Sequence, residues 1–198
     1  MQNQTELILE CKNRVLAKQG LTEELTNKLF NVNDKVLSQL SDAANEITRT
    51  FQGSKIDVEQ LANIKKNYCS EDCTFCSQSA FFDTGIDKYQ LMPADEVVRQ
   101  AMDAKKAGAH SYCLVAAWRE PSEKDFDKVC HIIKEVNEKV GISIECSLGF
   151  LTIQQAIKLK ELGVIRYNHN LETSESKFPE ICTTHTYQDR IDTLHTAR

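Results

Sequence analysis

Cys69, Cys73 and Cys76 stand within eight residues, in the run Cys69-Ser-Glu-Asp-Cys73-Thr-Phe-Cys76. A Cys-x3-Cys-x2-Cys spacing on one short loop can turn three thiolates toward a common centre. Three thiolates hold three irons of a four-iron cluster and leave one iron without a protein ligand, whereas a cluster that only carries electrons takes four. An open iron can chelate the amino and carboxylate groups of an amino acid and pass an electron into it. Phe75, just ahead of the third cysteine, adds an apolar wall that limits solvent access. A zinc site is the alternative: three cysteines and a distant fourth ligand, for which His110 and His131 are the nearest candidates. A redox dithiol, or plain buried thiols, is the third reading.

The rest of the composition is ordinary. The chain has 198 residues, 41% hydrophobic and 27% charged, and a formal charge of −5. That charge gives no electrostatic footprint for nucleic acid or anionic lipid. The N-terminal stretch is charged throughout, with no sustained apolar run, and predicts neither signal peptide nor membrane span; a cytoplasmic location is expected. An even number of cysteines, eight here, is compatible with disulfides only in an oxidising compartment. The bunching of three of them fits metal chemistry better.

These cysteines must be positioned by the elements around them. The first ~50 residues read as helices. Leu7, Ile8, Cys11, Val15 and Leu16 fall at helical spacing. A start at Thr22 with Leu25, Leu29 and Phe30 predicts a second helix. A third is expected in residues 32–51, with Val36, Leu37, Leu40, Ala43, Ala44 and Ile47 on one face. Gln52-Gly53-Ser54 ends the helical run, so residues 1–55 form an expected N-terminal helical extension. Beyond it, short apolar runs alternate with helical stretches. Strands are expected at 61–68, 111–117, 142–148 and 164–169, and helices at 93–107, 123–140, 153–162 and 188–197. Strict β-then-α alternation predicts a parallel sheet with crossover helices. The polar and Cys-bearing segments follow the strands, where α/β barrels place their chemistry. A complete (β/α)8 barrel takes ~200–250 residues, and 145 follow Gly53. The expected fold is therefore α/β: a parallel (β/α) barrel of the TIM type over residues 56–198, incomplete and truncated, with about four βα units.

The cysteine loop is similar to the signature of the radical S-adenosylmethionine enzymes, in which an aromatic residue precedes the third cysteine. Its flanks, Cys-Ser-Glu-Asp-Cys-Thr-Phe-Cys-Ser-Gln-Ser-Ala, resemble more narrowly the biotin synthase family. The likeness continues through Tyr112-Cys113-Leu-Val-Ala116-Ala117-Trp118-Arg-Glu-Pro121 and Cys146-Ser-Leu-Gly149. It runs on through Tyr167-Asn168-His169-Asn170-Leu-Glu172-Thr173-Ser174 and Thr183-Thr184-His-Thr-Tyr187-Gln-Asp-Arg190. It covers roughly residues 56–198 in the family's order.

The resemblance implies a reaction and a set of residues. The family inserts sulfur into dethiobiotin, using a 4Fe-4S cluster, S-adenosylmethionine and a second, 2Fe-2S cluster. It implies Cys69, Cys73 and Cys76 as ligands of the first cluster, and Cys113 and Cys146 as two ligands of the second. Asn170, Glu172, Arg190 and the Ala116-Ala117-Trp118 segment are implied at S-adenosylmethionine: Arg190 at the methionine carboxylate, Glu172 at the ribose. Asn168 and Asn170 are implied at the substrate. Glu172 departs from the family's Asp at that place. No residue is implied as an acid–base catalyst. A low-potential electron donor such as flavodoxin or ferredoxin, and a homodimer at full length, are the implied partners, with no nucleic acid and no membrane. The truncated chain alone is expected to be inactive in biotin formation. His169, Cys11, Cys130 and Cys182 receive no role, and Cys130 reads as core. Other radical enzymes of the same barrel group share the cysteine loop and are the rivals within the family; a non-catalytic zinc or scaffold protein is the rival outside it.

Overall fold

The structure, a computed structural model, describes residues 3–198. They divide into two compact units, the first running to Ile56 and the second covering Asp57–Arg198.

The first unit holds α1 (Gln4–Leu16), α2 (Glu23–Phe30), a 3-10 turn at Asp34–Val36 and α3 (Leu37–Gln52). Thr22 caps α2 by accepting the Leu25 N–H, satisfying a donor that the helix itself cannot. Leu7, Cys11 and Leu25 are buried together, with Leu21, Leu29 and Val32 around them. The apolar face expected on α3 is only half covered: Val36, Leu40, Ala43 and Ile47 are half-buried, while Leu37 and Ala44 stay exposed. Gly53 takes φ +73° at the end of α3, a conformation that a Cβ penalises.

The second unit runs β1 (Glu59–Lys65), α4 (Ala94–Lys106), β2 (Ser111–Ala116), α5 (Glu123–Lys139), β3 (Ser143–Ser147), α6 (Ile153–Glu161) and β4 (Val164–Tyr167). A 3-10 turn at Glu175–Lys177, the short α7 (Phe178–Ile181) and α8 (Tyr187–Ala197) follow. The four strands form one parallel sheet in the order β1-β2-β3-β4. The sheet is not closed, as expected for the first part of a (β/α) barrel. Ser122, Thr152 and Thr186 each accept the N–H three residues on, and the last two complete capping boxes with Gln155 and Asp189. These caps fix where each helix begins after its loop.

One face of the sheet carries the core. Ala62, Ile64, Tyr112, Leu114, Ile144 and Cys146 pack on Val97, Ala101 and Ala104 of α4 and on Val129, Ile133 and Val136 of α5. Each fully buried aliphatic side chain there contributes roughly 1.5–3 kcal/mol. The alternate residues face the other way. Parallel register sets Leu61, Cys113 and Glu145 side by side in one row, and Asn63, Val115 and Ser147 in the next. That is the inner face of the barrel, and Leu61 at its rim is 56% exposed.

Three strand boundaries differ from the expected ones by two or more residues. β1 begins at Glu59 because Glu59 and Gln60 pair with Ser111 and Tyr112; their polarity hid them from an apolar pattern. It ends at Lys65, after a register shift, and Lys66 then pairs antiparallel with Tyr89. β4 ends at Tyr167, although the Asn168 N–H still reaches the Cys146 carbonyl at 2.7 Å. The short α7 and its preceding turn have no counterpart in the periodicity. No described helix is long and apolar enough to cross a membrane.

Candidate active site

The four segments that leave the C-terminal ends of the strands line one pocket. Cys69, Glu71, Cys73, Phe75 and Cys76 come from the loop after β1. Ala116 ends β2 and Ala117–Arg119 follow it, Gly149 and Phe150 follow β3, and Asn168–Asn170 with Glu172 follow β4; His185 and Arg190 close it from the α8 side. The cysteine loop is pinned at its base by Cys69 N–H to Gln78 O (3.3 Å) and Ala80 N–H to Cys69 O (2.8 Å). It turns by Cys76 N–H to Cys73 O (3.0 Å).

Behind the loop lies a polar clamp to which the sequence assigned no function. Glu71 is buried and accepts from Arg119 Nη1 at 3.3 Å and from Thr184 Oγ1 at 2.8 Å, and it meets His185 Nδ1. Asp72 accepts from the backbone N–H groups of Thr183 (2.9 Å) and Thr184 (3.2 Å) and from the Thr183 hydroxyl. These bonds, the Thr183 hydroxyl first, hold the Asp72 carboxyl well below the usual carboxylate range. The signal lay in the quoted runs Cys69-Ser-Glu-Asp-Cys73 and Thr183-Thr184-His, but the partners are more than a hundred residues apart. Arg119 also stacks over Phe150, 4.8 Å from the ring centroid. Gly149 makes the crossing possible, because a Cβ there would stand 2.1 Å from the Arg119 carbonyl oxygen.

Burial raises the Cys69 thiol, and burial followed by the neighbouring Cys182 thiol pushes Cys73 up to about 12. Metal-free, these two groups are protonated at neutral pH, and a metal or cluster must displace the protons. On the opposite wall Arg190 donates to Asn170 O at 2.9 Å and stands 3.7 Å from Glu172 and 3.9 Å from Cys73 Sγ. Its Nε, and Nε2 of His169, are buried with no partner among the described residues. Burial, then the Arg190 and His185 charges, lower His169 to about 4, so its ring is neutral. Trp118 Nε1 donates to Leu148 O at 2.7 Å, and the Ala117 N–H to Lys65 O at 2.9 Å, which fixes the small-residue segment at the pocket wall. Three free thiols beside a guanidinium, an amide and a carboxylate are a donor set that fits an iron–sulfur cluster and an amino-acid ligand together.

The two cysteines expected to share a second cluster are not on one face. Cys113 pairs in register with Glu145, and Cys146 pairs with Leu114. Cys146 is 0% exposed and belongs to the core under the helices, and burial, then the Cys113 and Cys130 thiols, raise its own thiol. The inner-face neighbour of Cys113 is Glu145: Asn168 Nδ2 reaches Cys113 Sγ at 3.4 Å and Glu145 Oε2 at 3.2 Å, and Arg166 holds Glu145 at 3.0 Å. Burial and the Glu145 carboxylate together raise Glu59 on the adjoining strand. Register therefore sets Cys113 and Cys146 on opposite faces of the sheet, because successive residues of a strand point to opposite faces. Cys146→Ala is expected to leave reconstituted iron and sulfide content unchanged while lowering the melting temperature slightly. Loss of iron in that variant, measured by colorimetric assay, would contradict the assignment of faces.

Neither histidine named for zinc joins the loop. His110 precedes β2 and pairs with Asp57 and the Val58 N–H, at the opposite end of a strand about 20 Å long. His131 is exposed on α5.

Known proteins resemble the chain as follows. The sequence profile of the Radical SAM superfamily matches residues 63–198. The chain is 65% identical over 193 residues to the biotin synthase of Nitrosopumilus maritimus (strain SCM1), covering 98% of this chain and 59% of that protein. It is 38% identical over 193 residues to the biotin synthase of Clostridium tetani (strain Massachusetts / E88), covering 97% and 59%. It thus spans about three-fifths of the length of these curated relatives. In fold it is similar to HydG, a maturase of the FeFe-hydrogenase, with a TM-score of 0.82 over 98% of this chain and 44% of that one. It is likewise similar to methylornithine synthase, with a TM-score of 0.81 over 94% and 55%. Both are 20% identical and share the fold.

Proposed function

Because the chain belongs to the radical S-adenosylmethionine superfamily, we propose that it is part of a biotin synthase, an enzyme that inserts sulfur into dethiobiotin. Cys69, Cys73 and Cys76 are the proposed ligands of a 4Fe-4S cluster. The observation that carries the reading is the presence of these three thiols in one pocket with Arg190, Asn170 and Glu172, in a chain 65% identical to a biotin synthase.

When bound and reduced, the cluster supplies the electron that splits S-adenosylmethionine into methionine and a 5′-deoxyadenosyl radical able to take hydrogen from an unreactive carbon. The protein's part is placement and exclusion of water. Arg190 offers its guanidinium fork to the methionine carboxylate, held in aim by Asn170 O and the Phe178 ring beneath it. Glu172, at φ +68°, presents its carboxylate to the ribose hydroxyls. Ala116 and Ala117 allow the ligand close to the backbone of the strand end, and Trp118 walls the pocket. Asn168 faces the barrel interior beside Cys113 and Glu145, where its amide suits the ureido ring of dethiobiotin. No sulfur-donating step is assigned to Cys146, which lies on the other face. A low-potential electron donor and a second copy of the complete protein are the proposed partners.

Arg190→Met is expected to raise the KM for S-adenosylmethionine about 10–100-fold, the value of a lost charge-assisted pair, with cluster iron unchanged. An unaltered KM would remove Arg190 from the carboxylate site. The function itself is tested in the complete protein, anaerobically, with dethiobiotin, S-adenosylmethionine and a reductant. Biotin together with methionine and 5′-deoxyadenosine supports it. Radical cleavage that never yields biotin assigns the chain to another radical enzyme of the same fold.

A further inference from the structure

Cys182 and His185 have no part in that function, yet they stand against the cysteine loop. Cys182 Sγ lies 3.7 Å from Cys73 Sγ and 3.2 Å from His185 Nδ1. The three ligand atoms fall within 4.8 Å of one another, and all three residues are buried. Two sulfurs at about 2.3 Å from one zinc, set at the tetrahedral angle, are about 3.8 Å apart; a sulfur and an imidazole nitrogen about the same ion are about 3.5 Å apart. The observed separations lie within a few tenths of an ångström of both.

A nucleophilic Cys–His–Glu relay does not explain the group. Such a relay needs the thiol and the carboxylate on different ring nitrogens. Here Cys182 Sγ lies nearer Nδ1 of His185 (3.2 Å) than Nε2 (3.8 Å), and Glu71 meets that same Nδ1. Two thiols and one imidazole converge here, a donor set suited to a soft cation. The Cys182 thiol also donates to Asp72 Oδ1 at 3.3 Å.

We propose that, in the chain without its cluster, Cys73, Cys182 and His185 bind one soft divalent ion of the zinc class. A mixed thiolate–imidazole set is what zinc prefers, and its fourth position is open to Glu71, Asp72 or water. Binding releases protons, because zinc takes cysteine as the thiolate and histidine through a bare ring nitrogen. Cys73 belongs to both sets, so ion and cluster exclude one another. This exclusion rests on the proposed role of Cys73 as a cluster ligand; the ion site does not.

The test is an anaerobic titration of the metal-free 198-residue chain with cobalt(II), followed by displacement with zinc. One equivalent of cobalt is expected, with thiolate-to-metal charge-transfer and tetrahedral d–d bands that zinc abolishes. Cys182→Ala and His185→Ala should each weaken zinc binding about 100-fold or more, since even outer partners of a ligand are worth about 10–100-fold. Cys69→Ala and Cys76→Ala should leave it within about threefold. Binding that survives Cys182→Ala and falls with Cys69→Ala or Cys76→Ala places the ion on the loop triplet and overturns the site. So does the absence of any thiolate-bound cobalt in the parent chain. Where circular dichroism shows that Cys182→Ala has lost its fold, the size-conserving Cys182→Ser is read in its place. In a second arm, zinc added before iron and sulfide should slow cluster assembly in the parent and not in Cys182→Ala. Equal rates in the parent with and without zinc overturn the exclusion. A parent chain that assembles no cluster without zinc counts against the proposed function and leaves the cobalt result standing.

Discussion

Alanine in place of Cys69 or Cys76 is expected to bring cluster iron to background and to reduce S-adenosylmethionine cleavage by on the order of 100-fold or more. Each thiolate of a three-cysteine site holds a different iron, so losing one exposes a second iron to solvent and oxidant. Cys73 differs, since Cys182 lies 3.7 Å away and can take its place; the expected loss there needs the Cys73→Ala, Cys182→Ala pair. Cys130→Ala is the control, because Cys130 is a buried core thiol on α5. The variants are compared by iron and sulfide content and by 5′-deoxyadenosine formed under reduction. Full iron content in Cys76→Ala would remove that residue from the ligand set.

Gly149→Ala carries the largest expected cost in stability. Gly149 sits at φ +74°, and an added Cβ would stand 2.1 Å from the Arg119 carbonyl oxygen and 2.8 Å from its carbon. Left-handed backbone costs a residue with a Cβ about 1–2 kcal/mol, and forcing an atom into packed structure typically costs another 1–3 kcal/mol. The obstacle is backbone, which cannot swing aside as a flexible side chain would. It is also held in place: Arg119 O accepts the Phe150 N–H at 2.9 Å, and the Tyr167 hydroxyl donates to Gly149 O at 2.6 Å. The substitution should therefore destabilise by about 2–5 kcal/mol and separate the strand ends that carry Arg119 and Phe150. Urea denaturation monitored by circular dichroism measures this. A midpoint equal to the parent's would mean that the β2 and β3 loops do not cross as described.

The alternation of strands and helices was legible because each strand is a short apolar run closed by a turn, and each helix buries one stripe. What the pattern missed has identifiable causes. Glu59 and Gln60 begin β1 through backbone pairing, which polarity does not reveal. α3 reads as amphipathic, yet none of its residues is fully buried. The partition of Cys113 and Cys146 depends on register between parallel strands, and a shift of one residue exchanges the two faces. Spacing along one chain carries no such information, so the two cysteines looked equivalent and Glu145 went unnoticed. The clamp of Glu71, Asp72, Arg119 and Thr184 was invisible for a different reason. Its bonds join loops 48 to 113 residues apart, and each member alone reads as an ordinary surface group. The cysteine triplet could be read as one unit because its three thiols are neighbours in sequence.

The most direct measurement of the central claim is electron paramagnetic resonance of the 198-residue chain, reconstituted anaerobically with iron and sulfide and then reduced, before and after addition of S-adenosylmethionine. The expected result is a reduced four-iron signal whose line shape changes when the ligand binds, in the parent chain and in Cys146→Ala, and which is absent in Cys76→Ala. A chain that takes up zinc but no iron–sulfur cluster, or a four-iron signal that S-adenosylmethionine leaves unchanged, would contradict a radical-generating site at Cys69, Cys73 and Cys76.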